Sequence, residues 1–305
     1  MNHKRLRDGI STVLGLAAAG AALVLIGPAA ADASSGLEGE PRRVTLGATV
    51  RDFDERLLEG GHPDFESRPS GGFGLTAGLV DDELDGHGRP VFAGQGRRVL
   101  HTWRNAAGEP INPAFVDPSR GDAEGDWGGT DDAGIHSSES FETWFEDVPG
   151  INQRTEIELT LVRKPSSQTW VFDNRTDPDY RGLGGFFPIN DRLLGGDETG
   201  RNHHFTLESH AEFTYDAKAG GRIKVRSADD AWVFIDGRLV IDLGGLHSPA
   251  RQVVELDRLH WLEDGQTYRV DFFFADRHRV QSSLRIETDL ELRGRPAAPA
   301  IGLAE

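Results

Sequence analysis

The chain has no cysteine among its 305 residues. That absence excludes disulfides, thiol nucleophiles, Cys-ligated zinc and iron–sulfur clusters. It also lacks positive charge in excess: 33 Lys+Arg stand against 50 Asp+Glu, a net charge of −17. A phosphate backbone needs a basic surface, so nucleic acid is excluded as the partner. The enzyme signatures G-x-S-x-G, H-E-x-x-H and the P-loop are missing. Gly182, Gly184 and Gly185 sit in loop-like sequence without a strand–helix context and carry no nucleotide signal.

Long apolar runs are also scarce, with one exception at the start. Lys4, Arg5 and Arg7 precede an apolar and small-residue stretch from Val13 to Ile26, which Gly27-Pro28 breaks before Ala29-Ala30-Ala31. A basic start, a short apolar run and a small-residue cleavage pattern predict a signal peptide over residues 1–31 rather than a membrane span of about 20 residues. Residues 32–43 read as a flexible lead-in and residues 294–305, rich in Gly, Pro and Ala, as a disordered tail. No second apolar span follows, so the mature chain is expected to lack a transmembrane anchor. The expected location is extracellular, at the cell surface or in a periplasm. Oligomeric state leaves no signature in the sequence.

What remains has 37% hydrophobic residues, enough for a sizeable core. One helix is predicted over Ser138 to Val148: Phe141, Trp144, Phe145 and Val148 share a face, Ser137 or Ser138 can cap it, and Pro149-Gly150 ends it. That aromatic stripe reads as core. From Glu156 onward short alternating segments predict strands, and Asp236-Gly237 marks a two-residue hairpin between Ala231–Ile235 and Arg238–Leu243. Asn105 to Ile135, rich in Gly and Asp, reads as a long excursion, a kind of loop that is often functional. Short strands, many turns and few helices argue for an all-β sandwich or barrel. His203-His204 and His210 read as ordinary loop or strand histidines, and Asp81, Glu83 and Asp85 as a surface turn, because Phe92 stands where an EF-hand needs its last acid.

Asp229-Asp230 is the one acidic pair in an unusual setting, directly before the apolar run Ala231-Trp232-Val233-Phe234-Ile235. Adjacent side chains of an extended strand point apart, so two adjacent Asp converge on one ion only where the backbone bends. The segment from Asp229 to Gly245, with His247 after it, resembles the fibro-slime domain, a relative of the PA14 β-sandwich. Further motifs follow in order: Arg51-Asp52-Phe53, His62-Pro63-Asp64-Phe65-Glu66, Leu84 to Val91, Phe141/Trp144/Phe145, Phe186-Phe187-Pro188-Ile189, Asn202 to Thr206, Phe213-Thr214-Tyr215 and Phe272-Phe273-Phe274-Ala275-Asp276-Arg277-His278. The resemblance covers about Val44 to Leu292. It implies a PA14-like β-sandwich with one short helix and large loops over residues 44–293, with 44–149 as an N-terminal elaboration and 150–293 as the sandwich core.

The resemblance further implies that Asp229 and Asp230 bind Ca2+. Calcium takes six to eight oxygens, and the asparagine that such lectins supply from a later loop is missing between Ala275 and Ser282. Asp276 or Gln281 is the expected substitute, with Asp242 a weaker candidate. Sugar hydroxyls would complete the shell, and His247, Arg277, His278 and the loop around Trp127 are the expected ligand contacts, with His247 and His278 equally able to orient the calcium loops from behind. Trp232 reads as core. Three functions follow. The first is a secreted, non-catalytic, calcium-dependent carbohydrate-binding or adhesion module whose partner is a glycan or a cell-surface or matrix polymer. The second is a structural matrix protein with purely structural calcium and protein partners. The third is a secreted glycoside hydrolase.

Overall fold

The computed structural model describes residues 42–279 and 281–295. The signal peptide expected at 1–31, almost all of the lead-in at 32–43 and the tail from 296 on lie outside the described residues. Among the described residues fourteen strands and one short helix follow in order: β1 (Arg43–Phe53), β2 (Thr76–Ala77), β3 (Gly96–His101), β4 (Asp126–Asp131), α1 (Ser138–Glu142), β5 (Asn152–Arg163), β6 (Trp170–Asp173), β7 (Phe205–Thr214), β8 (Arg222–Ala228), β9 (Ala231–Ile235), β10 (Arg238–Leu243), β11 (Ala250–Glu255), β12 (Thr267–Asp276), β13 (Ser283–Thr288) and β14 (Arg293–Gly294). Among them no helix is long and apolar enough to cross a membrane.

The main sheet runs β10-β9-β12-β7-β1-β5-β6-β13-β8-β11, with β14 pairing on β7. Its two ends meet through side chains: the Asp242 N–H donates to Gln252 Oε1 (2.7 Å) and Gln252 Nε2 donates to the Asp242 carbonyl (3.3 Å). The sheet is therefore rolled, and its two halves face each other as a sandwich. Alternation explains the filling. Leu46, Ala48 and Val50 of β1, Leu207 and Phe213 of β7, Phe272 and Phe274 of β12, Val225 of β8 and Leu284 and Ile286 of β13 share one interior cluster, as period-two side chains on facing layers must. The Asp236-Gly237 hairpin is as expected, with φ of 52° and 76° at the two turn residues.

β9 and β12 are buried on both faces, which is why they read as unbroken apolar runs. Their outer face (Trp232, Phe234, Phe273, Ala275) packs under Leu79, Val80, Ile135, Phe141, Trp144 and Phe145. The N-terminal segment thus covers one layer, but the division at residue 149 does not hold for its first strand. β1 lies between β7 and β5 in the middle of the sheet, because its alternating Leu46, Ala48 and Val50 complete the interior.

The helix is shorter than its apolar spacing predicts. Ser137 caps α1 reciprocally with Ser140, and the turn tightens to a 3-10 turn over Thr143–Phe145 before extended backbone at Glu146. Phe141, Trp144 and Phe145 are buried, as expected for core. The Asn105 to Ile135 excursion is partly ordered. Two Pro-led 3-10 turns at Pro113–Phe115 and Pro118–Arg120 lead into β4, which pairs with β3 in a small sheet β2-β3-β4.

Candidate functional site

Strand register brings the candidate residues to one rim. Asp276 pairs with Phe205, Phe205 with Asp52, Ala231 with both Phe274 and Leu243, and Ala228 with Ser283. The start of β7 and β9, the end of β8, β10 and β12, and the loops between them therefore share one end of the sandwich.

Asp229 takes the left-handed conformation, φ 61°, the bend that convergence of adjacent side chains requires. Both carboxylates reach Arg277: Asp229 Oδ2 accepts its main-chain N–H (3.1 Å) and Asp230 Oδ2 accepts from Nε (2.8 Å). Asp230 Oδ1 also accepts from the Gly245 N–H at 2.6 Å. Gly245 must be glycine here: its φ is 92° and a Cβ would stand 2.9 Å from the Gly74 carbonyl oxygen.

Asp276 joins this pair. Both its oxygens are buried and without a hydrogen-bond partner among the described residues. The Ser282 hydroxyl is turned to the Phe186 carbonyl, and His203 Nδ1 stands 3.4 Å from Asp276 Oδ2 without hydrogen-bond geometry. Burial, and then the neighbouring charges of Asp276 and Asp230, push the Asp229 carboxyl well above the usual carboxylate range. Burial likewise pushes Asp276 up, with Glu66 adding repulsion. Three buried carboxylates, 5%, 0% and 0% exposed, thus lie at this end of the sandwich with one buried guanidinium, which pairs with Asp230, leaving a deficit of positive charge where water cannot screen it. Asp229 and Asp276 fit a cation. Asp230 is already satisfied by Arg277 and Gly245.

The other expected ligands fall elsewhere. Asp242 is buried and occupied as a structural acceptor, taking the Gly78 N–H (2.6 Å), Trp232 Nε1 (3.1 Å) and the Gly244 N–H (3.3 Å), while burial pushes it up to about 6. Gln281 is exposed beside the one internal position outside the described residues. Arg277 is fully buried, stacked 4.9 Å from the centre of the Trp144 ring with Nη2 donating to the Ala133 carbonyl (3.1 Å), so it faces inward and does not present itself to a sugar. His247 sets its ring nitrogens 3.0 Å from the main-chain carbonyls of Ser248 and Leu243, and accepts the Asp229 N–H on its own carbonyl. It orients the loop. Trp127 packs on Trp103 in the small sheet, 4.3 Å between ring centres, beneath Arg97, among partners other than those of the rim. Trp232 is core, as expected.

His278 does lie at the rim, its side chain 13% exposed, with Nε2 3.3 Å from Glu66 Oε2 and its ring edge-on to the exposed Phe73. Glu66 went unread as a site residue, although it ends the His62 to Glu66 motif. It accepts from His204 Nε2 (3.1 Å) and the Arg279 N–H (2.8 Å), and its own N–H donates to the Arg277 carbonyl (2.8 Å). His203 and His204, read as ordinary, both belong to this rim: one faces Asp276 and the other Glu66. Their adjacency was the available signal, since opposite-facing neighbours just before a strand can serve two shells of one site. Glu55, Glu66 and His204 place potential ligand atoms within 4.8 Å of one another, but Arg279 Nη2, 2.9 Å from Glu55 Oε2, already brings a positive charge there.

The chain is similar to known proteins over parts of its length. The PA14 domain family model matches residues 194–297, the stretch that holds Asp229, Asp230 and Asp276. The chain is 32% identical over 237 residues to protein psiR of Dictyostelium discoideum, covering 76% of this chain and 20% of psiR. It is 30% identical over 261 residues to protein psiD of the same organism, covering 83% of this chain and 42% of psiD. The chain therefore spans less than half of these relatives' own lengths. Among solved structures, the PA14 domain of the antifreeze protein MpAFP aligns at TM-score 0.23 and 11% identity, over 33% of this chain and 57% of that one. The PA14 sugar-binding domain from an RTX adhesin aligns at TM-score 0.22 and 14% identity, over 30% and 48%.

Proposed function

From a chain whose residues 194–297 match the PA14 domain, we propose a non-catalytic, calcium-dependent module that binds glycan outside the cell. The observation that carries it is the rim cluster, in which Asp229, Asp230 and Asp276 are all buried while the guanidinium of Arg277 pairs with Asp230. A divalent cation relieves that imbalance. Asp229 and Asp276 would hold it, main-chain carbonyls and water supplying further oxygens. Bound there, calcium would offer a hard Lewis-acidic centre for vicinal hydroxyls. The protein's own residues do the rest: Arg277 ties Asp230 to the floor, His247 and Gly245 fix the loop beneath, and His278 with Phe73 offers an aromatic edge at the opening.

No catalytic role follows from this arrangement. The carboxylates lie beneath the surface, and the acid nearest the opening, Glu66, is held below its usual range by hydrogen bonds from His204 and the Arg279 N–H that outweigh its burial, the reverse of a general acid poised near neutrality. The test is a glycan array read with millimolar calcium and again with chelator. Calcium-dependent binding that is lost in Asp229→Asn is the expected result, and turnover of a glycoside panel would refute the non-catalytic assignment.

A second reading has its own support. The cluster is almost closed to solvent, which suits an ion that only staples loops together in a matrix protein. Calcium stabilisation with an empty glycan array would select it.

A further inference from the structure

A second site lies on the outer face of the other layer. Register places Asp173, Arg285, Arg226 and Arg251 directly opposite one another across β6, β13, β8 and β11. Their neighbours along each strand, Phe172, Ile286, Val225 and the buried Gln252, point inward, so the three arginines share the outer face. Like charges directly opposite on a sheet destabilise it. In a chain of net charge −17, a cross-strand row of arginines is the reverse of what composition would scatter there.

The row is not neutralised from within. Asp173 is its one acid, and both Arg285 Nη1 and Arg175 Nη2 already bind it. Arg285 also donates to Glu287 Oε1 at 2.9 Å. The side chains of Arg226 and Arg251 make no hydrogen bond or ion pair among the described residues, and Arg226 is half-buried. Burial, then the charges of Arg175, Arg285 and Arg251, act against its protonated form. Two residues away on the same face of β8, Lys224 is paired with Glu109, so the fold supplies a carboxylate where one is wanted. Beside the row an open groove lined by Lys164, Val171, Asp173 and Arg285 continues toward β5.

We propose that Arg226 and Arg251, flanked by Arg175 and Arg285, bind the carboxylate or sulfate groups of an acidic polysaccharide. Adjacent strands lie about 4.8 Å apart, so arginines in register repeat at close to the length of one sugar residue in a polyuronate chain. A guanidinium fork takes an oxyanion through two parallel hydrogen bonds. The row thus matches a polymer carrying one charge per residue. The inference rests on the glycan-binding reading only for the class of polymer, because the row uses none of the rim's three aspartates and needs no metal.

The experiment is binding of the full chain to polygalacturonate and dextran sulfate by calorimetry in chelator, with neutral dextran as control. Both acidic polymers are expected to bind, to weaken as salt rises, and to bind about tenfold more weakly to R226Q or R251E, as loss of one charge-assisted contact requires. Asp229→Asn is expected to bind them as the wild type does, which separates this site from the calcium reading. R226Q is further expected to melt at or above the wild-type temperature without polymer, since a repelled cation is removed, so a weak R226Q cannot be ascribed to misfolding. Equal binding by wild type and both variants overturns the proposal. Failure of both acidic polymers overturns it too, as does binding only to vesicles containing phosphatidylserine.

Discussion

Replacing Asp276 by asparagine should change the sign of its effect with calcium. The side chain keeps its shape and loses its charge. In chelator the wild-type carboxyl is destabilised chiefly by burial, with the charge of Glu66 adding to it. Its folded-state pKa lies above the unfolded one, so its contribution to stability is fully present below the unfolded value near 4 and is lost as pH rises through the folded one. At pH 7 the metal-free wild type therefore carries a penalty that the uncharged variant does not, and Asp276→Asn should melt higher than wild type in chelator. With calcium the order reverses. At a hundred times its dissociation constant the ion adds about 2.7 kcal/mol. At about 2–4 °C per kcal/mol for a domain of this size, that raises the wild-type Tm by roughly 5–10 °C. Asp276→Asn should lose most of that rise. Scanning calorimetry of both proteins, with chelator and with millimolar calcium, gives four melting temperatures. The reasoning is refuted if Asp276→Asn melts below wild type by the same margin in both conditions, because the carboxylate would then be a structural acceptor and not a cation ligand.

Further tests bear on other parts of the molecule. His210 is pushed up to about 9 by hydrogen bonds to Asp271 (2.8 Å) and Glu208, which outweigh its burial. Its stabilisation is present below the unfolded value near 6.5 and fades as pH rises through about 9. Denaturant titrations of wild type should lose stability over that interval, on the order of 2–3 kcal/mol, and His210→Gln should flatten the slope. Phe141 touches Phe92, Trp144 and Trp232 in the outer cluster. Phe141→Ala should cost about 3–5 kcal/mol, roughly a 10 °C fall in Tm, and an unchanged melt would mean that the N-terminal cover contributes little. Gly245→Ala, which crowds the Gly74 carbonyl and disturbs the N–H that holds Asp230, should abolish the calcium-induced shift without touching a proposed ligand. A full shift in that variant would detach the loop from the site.

The all-β class, the Asp236-Gly237 hairpin, the buried aromatic face of α1 and the unusual setting of Asp229-Asp230 were all legible in the order of residues. Each of these is local. Alternation, turn chemistry, helical spacing and the neighbours of an acidic pair are properties of a few consecutive residues, and they survive into the fold because the fold agrees with them. The rest depends on partners far along the chain. Asp230 reads as a ligand and Asp242 as a weaker candidate in a string of letters. One is neutralised by Arg277 and the other consumed by Gly78, Trp232 and Gly244. His203 looks ordinary until the pairing of Phe205 with Asp276 brings it against a buried carboxylate. β1 looks like part of an appended segment until its register on β5 and β7 puts it in the centre of the sheet. The arginine row has no sequence signature at all, since Asp173, Arg226, Arg251 and Arg285 stand far apart in the chain. Strand register, which is set by the burial of one whole face against another, lines them up.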